Sequence, residues 1–495
     1  MSNSYNSRSA CPFNISRRNF LASTAAMAAA SQMGLLDFAS SVFASEMPST
    51  QKSKIKVAFI RPNVRRTWLG WPGAAYDQVG MQKQYTKVIT KAAKKMGIDL
   101  DIENKPLHDE NTTAAFLDSV KKDKPDGILV TNMNLNMGWN HADKMAKPQN
   151  RSDIPMVIFS PVGSSFTGHL QNTRNIEGCF VGATADLNWL STGLKLLNSI
   201  PQMARTRLCI VSGDKVDDTK LRQVGTTLHY IPESRFSDEL KKMKTTKEMK
   251  AIADYYSKNA RKIVEPTKGD ILEAAKNYMV CKKLMADENC HGFSMNCLGL
   301  VDSKTIQPPC LAFSKLRDEG IVGCCEADWS AAISSRLTHL LTNRPGFMQD
   351  PAPDTVNNTL VGAHCTCGAK LNGFDTPDEP FILRSHSESD LGVAPQVLWR
   401  LGQKVTVMKY ICQGSLWAPP SAKPYEFSMI LGTGTVVGNI DTPPSGGCRT
   451  SVELKMDDIK DTRDIKGFHQ LFIYGDYERT FKAYCQLAKI KAEHI

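Results

Sequence analysis

The sequence predicts an α/β protein with two doubly wound parallel-sheet domains followed by a β-rich C-terminal domain. The chain has 495 residues, which is too many for one hydrophobic core. Up to about residue 350, short apolar runs alternate with stretches of helical spacing, a pattern typical of parallel sheets covered by helices. Beyond that point Gly, Pro and Thr separate short apolar runs, which is typical of antiparallel strands.

Residues 1–45 are predicted to be an export signal that takes no part in the fold. The segment SRRNFL contains the twin arginines Arg17 and Arg18, an uncharged Ala-rich run follows them, and VFA offers small residues for cleavage near Ala44. This order is typical of a twin-arginine signal, which exports a folded protein to the periplasm. The alternative is a disordered N-terminus with a chance pair of arginines.

The first α/β domain is predicted over residues 52–200. Its strands are apolar runs, and a stretch of helical spacing separates the first two. We expect strands at residues 56–60, 98–102, 126–132 and 154–160, and a helix at residues 79–96.

The second α/β domain is predicted over residues 201–350, where the alternation begins again. We expect strands at residues 207–213, 293–297 and 320–325, and helices at residues 236–243, 246–260 and 270–285.

The β-rich domain is predicted over residues 351–495 and is expected to be mostly antiparallel. We expect strands at residues 359–365, 404–410, 425–437 and 451–454, and then a final strand at 469–474 and a helix at 477–490.

Composition and charge exclude several classes of protein. The net charge is +11, but the basic residues are spread out and form no nucleic-acid patch with interleaved aromatics. After the signal no apolar stretch is long enough to span a bilayer. The 14 cysteines are scattered, so their pairing cannot be deduced, and adjacent Cys324 and Cys325 are interpreted as small core residues.

Two carboxylates flank one predicted helix. Glu326 follows the strand at residues 320–325, and the apolar stripe Ile333, Leu337, Leu340 and Leu341 indicates a helix behind it. Asp328 or Ser330 can cap the start of that helix.

Glu326 therefore lies beyond the carboxyl end of a strand, where open α/β sheets bind ligands. Asp350, expected in an extended turn before Pro351, can return to the same crevice. The alternative interpretation makes Glu326 a helix-start acid and Asp350 an ordinary turn residue.

Four segments resemble the L-fucose and L-arabinose ketol-isomerases. They are CEADWSAA with Glu326, FMQD with Asp350, LVGAHCTCG with His364, and GFHQLFIYGDY with His469. The resemblance extends from about residue 290 to the C-terminus, and before that it is one of architecture. It implies an L-fucose isomerase-like fold and a trimeric or hexameric homo-oligomer.

The resemblance also implies a metal centre. Glu326, Asp350 and His469 match the family's ligands, and the expected ion is Mn²⁺, with Mg²⁺ or Co²⁺ as alternatives. The two acids would also transfer protons. His364 lies where the arabinose branch has a further ligand, but the acid spacing is closer to the fucose branch, so we predict that His364 faces the substrate. His386, in LRSHSESDLGV together with Glu388, is predicted to contact the substrate as well.

This chemistry suits carboxylates and an imidazole, which favour hard divalent ions over thiolate-seeking ones. The predicted function is a divalent-metal-dependent sugar isomerase that acts on a free pentose or deoxyhexose outside the inner membrane. Two alternatives stay open: a metal-assisted glycoside hydrolase or lyase on the same scaffold, and a non-catalytic sugar-binding protein.

Two further motifs have less specific meanings. His364, Cys365 and Cys367 would suit a soft metal, but no second Cys or His pair at zinc spacing accompanies them. Trp68 and Trp71 can stack on a sugar, although packing in the core or at a subunit interface is the favoured interpretation.

Overall fold

The structure, a computed structural model, describes residues 51–68, 71–412, 426–441 and 448–495. All of them belong to one compact unit, Pro48–Ile495. The predicted export signal lies outside the described residues. Within the described part, no helix is long and apolar enough to cross a bilayer.

The first sheet is fully parallel, as the alternation of strands and helices predicts. Its five strands run in the order β2-β1-β3-β4-β5. They are β1 (Lys54–Ile60), β2 (Asp99–Ile102), β3 (Gly127–Asn132), β4 (Met156–Pro161) and β5 (Cys179–Thr184). The helices of this part are α1 (Gln78–Met96), α2 (Glu110–Asp123), α3 (Asn136–Ala146), α4 (Thr167–Gln171) and α5 (Trp189–Arg205).

The second sheet has the order β11-β10-β6-β8-β7 and is parallel except for β7, which runs antiparallel to β8. Its strands are β6 (Arg207–Val211), β7 (Asp217–Lys220), β8 (Thr227–Ile231), β10 (Gly292–Met295) and β11 (Val322–Cys324). The helices are α6 (Glu233–Lys242), α7 (Lys247–Asn259), α8 (Lys268–Asp287), α9 (Cys297–Asp302), α10 (Cys310–Asp318) and α11 (Trp329–Thr342).

The third sheet confirms the β-rich C-terminal region and is antiparallel apart from the β17–β20 pair. Its strands are β12 (Phe347–Asp354), β13 (Thr359–His364), β16 (Lys404–Cys412), β17 (Phe427–Asn439), β18 (Thr450–Met456), β19 (Gln470–Tyr474) and β20 (Lys491–His494). An additional pairing of β16 with β17 closes this sheet on itself. Helix α12 (Glu478–Ala488) lies between its last two strands along the chain.

A small three-stranded sheet was not predicted. It joins β9 (Lys262–Ile263) to β14 (Phe381–Arg384) and β15 (Ala394–Val397) in the order β15-β14-β9. The central and C-terminal regions therefore share backbone hydrogen bonds as well as side-chain contacts.

Buried apolar strands explain why these elements form. Val57, Phe59, Leu129 and Ile158 of the first sheet are completely buried, as strands covered by helices on both faces must be. Cys324 and Cys325 are buried as well, which confirms their interpretation as small core residues.

Candidate metal centre and adjoining cavity

Glu326 lies at the carboxyl edge of the second sheet, two residues beyond the end of β11. The turn that carries it is strained, because Glu326 and Ala327 have φ values of 59° and 51°, in the left-handed region. Each such residue costs about 1–2 kcal/mol without a glycine. The amide of Ala327 donates to the carbonyl of Met295 at 2.9 Å, which holds the turn against β10. Strain of this kind is common at functional sites.

Strand register brings Asp350 to His364 and His469. Asp350 lies within β12 rather than in the expected turn, and it pairs with Ala363, the neighbour of His364. On the other side β12 pairs with β19 in the register Gln349 to Gln470, so the next residues along, Asp350 and His469, are adjacent. His469 also has a left-handed backbone, with φ of 52°.

The predicted residues meet at one point. The Nε2 atom of His469 lies 3.1 Å from Oδ1 of Asp350 and 3.5 Å from Oε2 of Glu326. The Nε2 atom of His364 lies 3.7 Å from Oε1 of Glu326. Glu326, His364 and His469 each offer a ligand atom within 4.8 Å of the others, and Asp350 joins this group through its contact with His469.

The protonation of His469 is set by a residue that the sequence analysis identified only as a helix cap. Nδ1 of His469 lies 2.9 Å from Oδ2 of Asp328, so Nδ1 carries a proton and donates it to the carboxylate. In the neutral ring, Nε2 then has a free lone pair, and this nitrogen lies close to Asp350 and Glu326.

His364 has the opposite arrangement. The backbone amide of Cys365 donates to Nδ1 of His364 at 2.9 Å, so this nitrogen must be unprotonated. The neutral ring therefore carries its proton on Nε2, which makes that atom a hydrogen-bond donor instead of a metal ligand.

Burial and neighbouring charges shift the protonation equilibria here. Burial raises the pKa of Glu326 above its ordinary value. Burial lowers the pKa of His364 to about 4, so its ring is neutral at physiological pH. Burial opposes the charged form of His469 too, but the carboxylates of Asp328 and Asp350 outweigh it and raise the pKa of that ring.

Three buried polar atoms in this group have no hydrogen-bond partner: Asp350 Oδ1, His364 Nε2 and His469 Nε2. Although His469 Nε2 lies near Asp350 Oδ1, the two atoms lack hydrogen-bond geometry. A buried polar atom left in this way costs about 1–3 kcal/mol, which a bound group would recover. Two carboxylates and one imidazole lone pair are a donor set that Mn²⁺, Mg²⁺ and Co²⁺ accept, so the residues fit a divalent cation.

A cleft that is partly open to solvent adjoins these side chains, and its empty space, open solvent included, is about 460 Å³. Its polar lining includes Glu326, Asp350, His364, His386 and Glu388, so the structure also brings His386 to the site. Nδ1 of His386 lies 3.0 Å from the Ser389 hydroxyl within its own loop. The remaining lining is apolar or sulfur-bearing, formed by Cys297, Leu298, Val301, Pro308, Pro309, Cys310, Phe313, Cys325, Cys365 and Cys448.

The sequence analysis did not identify Lys409 or the five cysteines that line the cavity. Lys409 has a completely buried side chain and donates to Oδ2 of Asp328 at 2.7 Å. The sequence does contain an indication of this role, because a single charged residue inside the apolar strand VTVMKYI requires a buried partner. The five cysteines that line the cavity come from five separate segments of the chain, so no local spacing predicts them.

Two other predicted features lie apart from the group. Trp68 and Trp71 are exposed by 85% and 59% and are not part of the cavity lining, so they do not pack in the core of this chain. Cys367 is buried and donates to the carbonyl of Gly368, and within the described residues no thiol belongs to a group of three potential metal ligands.

Comparison with known proteins gives no family assignment. No family model matches the chain, and no curated protein matches it. An ABC transporter solute-binding protein from Agrobacterium vitis, bound to α-D-tagatopyranose, is 12% identical over 59% of this chain and 90% of its own, with a TM-score of 0.18. A periplasmic solute-binding protein from Actinobacillus succinogenes 130z, bound to D-allose, is 9% identical over 55% of this chain and 95% of its own, with a TM-score of 0.17. Likeness at these TM-scores carries no argument about fold or function.

Proposed function

We propose that this protein is a divalent-metal-dependent sugar isomerase that interconverts an aldose and a ketose. The observation that carries the proposal is the meeting of Glu326, Asp350 and His469 beside a cavity. Capture of a sugar alone does not need two carboxylates close to an unprotonated imidazole nitrogen. Stabilisation of enediolate charge by a cation does need such a group.

The ligands in this proposal are Glu326, Asp350 and Nε2 of His469. His364 is excluded from the ligand set because its Nε2 carries the proton in the neutral ring. When bound, Mn²⁺, or Mg²⁺ or Co²⁺ in its place, would polarise the carbonyl and neighbouring hydroxyl oxygens of the sugar.

Glu326 is the residue that we assign to proton transfer between carbons. Its carboxylate lines the cavity beside the proposed ion, where it can reach a proton on the sugar carbons. It takes the proton from C2 of the aldose and returns it to C1, so the reaction consumes no proton. Asp350 has the more exposed side chain, 39% against 21% for Glu326, and it is assigned to the hydroxyl proton that moves between O2 and O1.

His364 and His386 are assigned to the substrate. The Nε2 proton of His364 can be donated to a sugar oxygen at the same end of the cavity as Glu326. His386 approaches from a different loop of the cavity wall together with Glu388. Donors fixed from two sides would hold a polyol in one orientation.

Deuterium exchange tests the proposal directly. The full-length protein, loaded with Mn²⁺, is incubated in D₂O with single pentoses and deoxyhexoses, and the sugars are followed by NMR. We expect at least one aldose to give a new ketose with deuterium at C1, or at least one ketose to give a new aldose with deuterium at C2. The exchange should disappear in Glu326→Gln.

The two alternative functions give different spectra. A hydrolase or lyase would shorten a glycoside and leave free pentoses free of deuterium at these carbons. A non-catalytic sugar-binding protein would broaden the signals of a sugar without converting it. Either result would contradict the isomerase proposal.

Location and assembly belong to the same proposal. The twin-arginine segment supports work on a free sugar in the periplasm. The resemblance to the L-fucose and L-arabinose isomerases supports their fold and a trimeric or hexameric homo-oligomer. Fractionation of the native host and light scattering of the purified protein would test these two points.

A further inference from the structure

The two carboxylate oxygens of Asp328 have different partners: one caps a helix, and the other contacts the candidate metal centre. Its Oδ1 atom accepts the amide of Ala331 and the hydroxyl of Ser330, both at 2.8 Å, and so caps α11. Its Oδ2 atom accepts from Nδ1 of His469 at 2.9 Å. The helix cap fixes one oxygen, and this leaves the other aimed at the imidazole.

Lys409 completes this arrangement from the third sheet. Its ammonium donates to the same Oδ2 atom at 2.7 Å, and the side chains of Lys409 and His469 are completely buried, with 7% of Asp328 exposed. A buried carboxylate without a counter-charge is destabilising. Lys409 supplies that charge to the oxygen that accepts from Nδ1 of His469.

We infer that Asp328 is a positioning residue that holds His469 in the tautomer whose Nε2 can bind a divalent cation. This inference rests on the proposed metal centre. A carboxylate that accepts from the second nitrogen of a ligand histidine fixes the ring and makes the first nitrogen a better ligand. His364 shows the contrast, because a backbone amide fixes it in the other tautomer.

The competing explanation is that Asp328 is only a helix cap with a buried ion partner. Asp328→Asn separates the two. Asparagine can keep the cap through its oxygen, but its amide then donates to Nδ1 of His469 and forces the proton to Nε2. The same change beside the catalytic histidine of serine proteases leaves the geometry intact and fixes the wrong tautomer.

The experiment compares the full-length wild type with Lys409→Met and with the double variant Asp328→Asn/Lys409→Met. In the double variant both charges are absent, so no buried charge is left unpaired. Mn²⁺ affinity is measured by calorimetry on metal-free protein, and folding is checked by thermal melting. Selective ¹⁵N labelling of histidine reports the tautomer of His469 in metal-free protein at alkaline pH.

We expect the variant with the larger loss of stability to be the one that keeps its Mn²⁺ affinity. Lys409→Met should melt at a lower temperature than the wild type but keep the Nδ1 proton and bind Mn²⁺ within a few-fold of wild-type affinity. The double variant should melt closer to the wild type, carry the proton on Nε2, and bind Mn²⁺ about 10–100-fold more weakly.

A folded double variant with wild-type Mn²⁺ affinity and an Nδ1 proton would overturn the inference. If the wild type itself binds no Mn²⁺, the proposed metal centre is wrong. The tautomer of His469 then still decides whether Asp328 is a positioning residue. An Nδ1 proton in the wild type that moves to Nε2 in the double variant would support positioning. An Nε2 proton in the wild type would refute it.

Discussion

The carboxyl edges of the two parallel sheets occupy equivalent places in their α/β layers, yet they differ in chemistry. At the first edge, Thr131, Asn132 and Ser160 are small polar residues at strand ends, and Trp71 packs on Phe166 with a centroid distance of 5.9 Å. At the second edge Glu326 meets two histidines and another acid. Within the described residues, the one group of three potential metal ligands lies at the second edge.

The difference comes from the third sheet. Asp350, His364 and His469 all lie on or beside strands β12, β13 and β19, which place them against the turn after β11. The carboxyl edge of the second sheet contributes only Glu326, and the closed third sheet contributes the other three residues. The candidate centre therefore depends on how the second and third sheets pack together, and substitutions at the two edges should have different effects.

The largest effect is expected from Glu326→Gln. The amide cannot act as a base and is a poor ligand, so turnover on the sugar found by deuterium exchange should fall by about 10²–10⁴-fold or more. Glu103→Gln is the matched control, because Glu103 directly follows β2 at the first edge. Its activity should equal that of the wild type. An active, metal-loaded Glu326→Gln protein would remove Glu326 from the mechanism.

A large loss of stability is expected from Lys409→Met. The substitution leaves Asp328 buried with His469 but without its ammonium partner, which should lower the free energy of unfolding by about 3–5 kcal/mol. Lys404→Met is the control on the same strand, because the Lys404–Asp457 pair is more than a third exposed and should contribute about 0–1 kcal/mol. Urea unfolding measures both, and equal losses would contradict the account.

The pH dependence of that loss checks its cause. Burial favours the neutral form of Asp328, but Lys409 and His469 outweigh it and hold the pKa of Asp328 well below its ordinary value. A depressed carboxyl pKa stabilises the fold above the unfolded value of about 3.9, and this contribution is lost as pH falls. The free energy of unfolding that Lys409→Met loses relative to the wild type should therefore become smaller as the pH is lowered toward 4 and below. A deficit that is independent of pH would point to lost packing instead.

A moderate effect is expected at His364. His364→Asn keeps an acceptor for the amide of Cys365 but removes the Nε2 donor, so kcat/KM should fall about 10–100-fold. Mn²⁺ affinity should stay unchanged, since the ring is assigned to the substrate. His364→Gln, which can place an amide near the old Nε2, should recover part of the loss. A fall in Mn²⁺ affinity would instead make His364 a ligand.

The smallest effect is expected at the first edge. Trp68 is 85% exposed, so Trp68→Ala should change the free energy of unfolding by less than about 0.5 kcal/mol. Mn²⁺ affinity should not change either, because Trp68 lies outside the cavity lining. Calorimetry and urea unfolding would show this, and a loss of Mn²⁺ binding would contradict the separation of the two edges.

Local sequence patterns predicted the layers and the place of Glu326. Apolar runs predicted β1 to β4 of the first sheet and β6, β10 and β11 of the second, but not β5, β7 or β8. The stripe beginning at Ile333 predicted helix α11, and of its two candidate caps the structure uses Asp328. Glu326 beyond β11 followed from the same pattern. These features depend on residues close together in the chain, which is why periodicity captures them.

The rest depends on pairings between distant segments. Asp350 was expected in a turn because Pro351 follows it, but beyond Gln349 strand β12 has a partner on one side only, and such an edge tolerates proline. The second role of Asp328 required Lys409, 81 residues away, and His469, 141 residues away. No local periodicity encodes contacts of that separation.

Anomalous diffraction from crystals of the full-length protein soaked in Mn²⁺ would locate the ion itself. We expect a single strong manganese peak bonded to Glu326, Asp350 and Nε2 of His469, with His364 outside the coordination shell. An empty centre, or manganese held elsewhere while these three side chains point apart, would contradict the proposed metal centre.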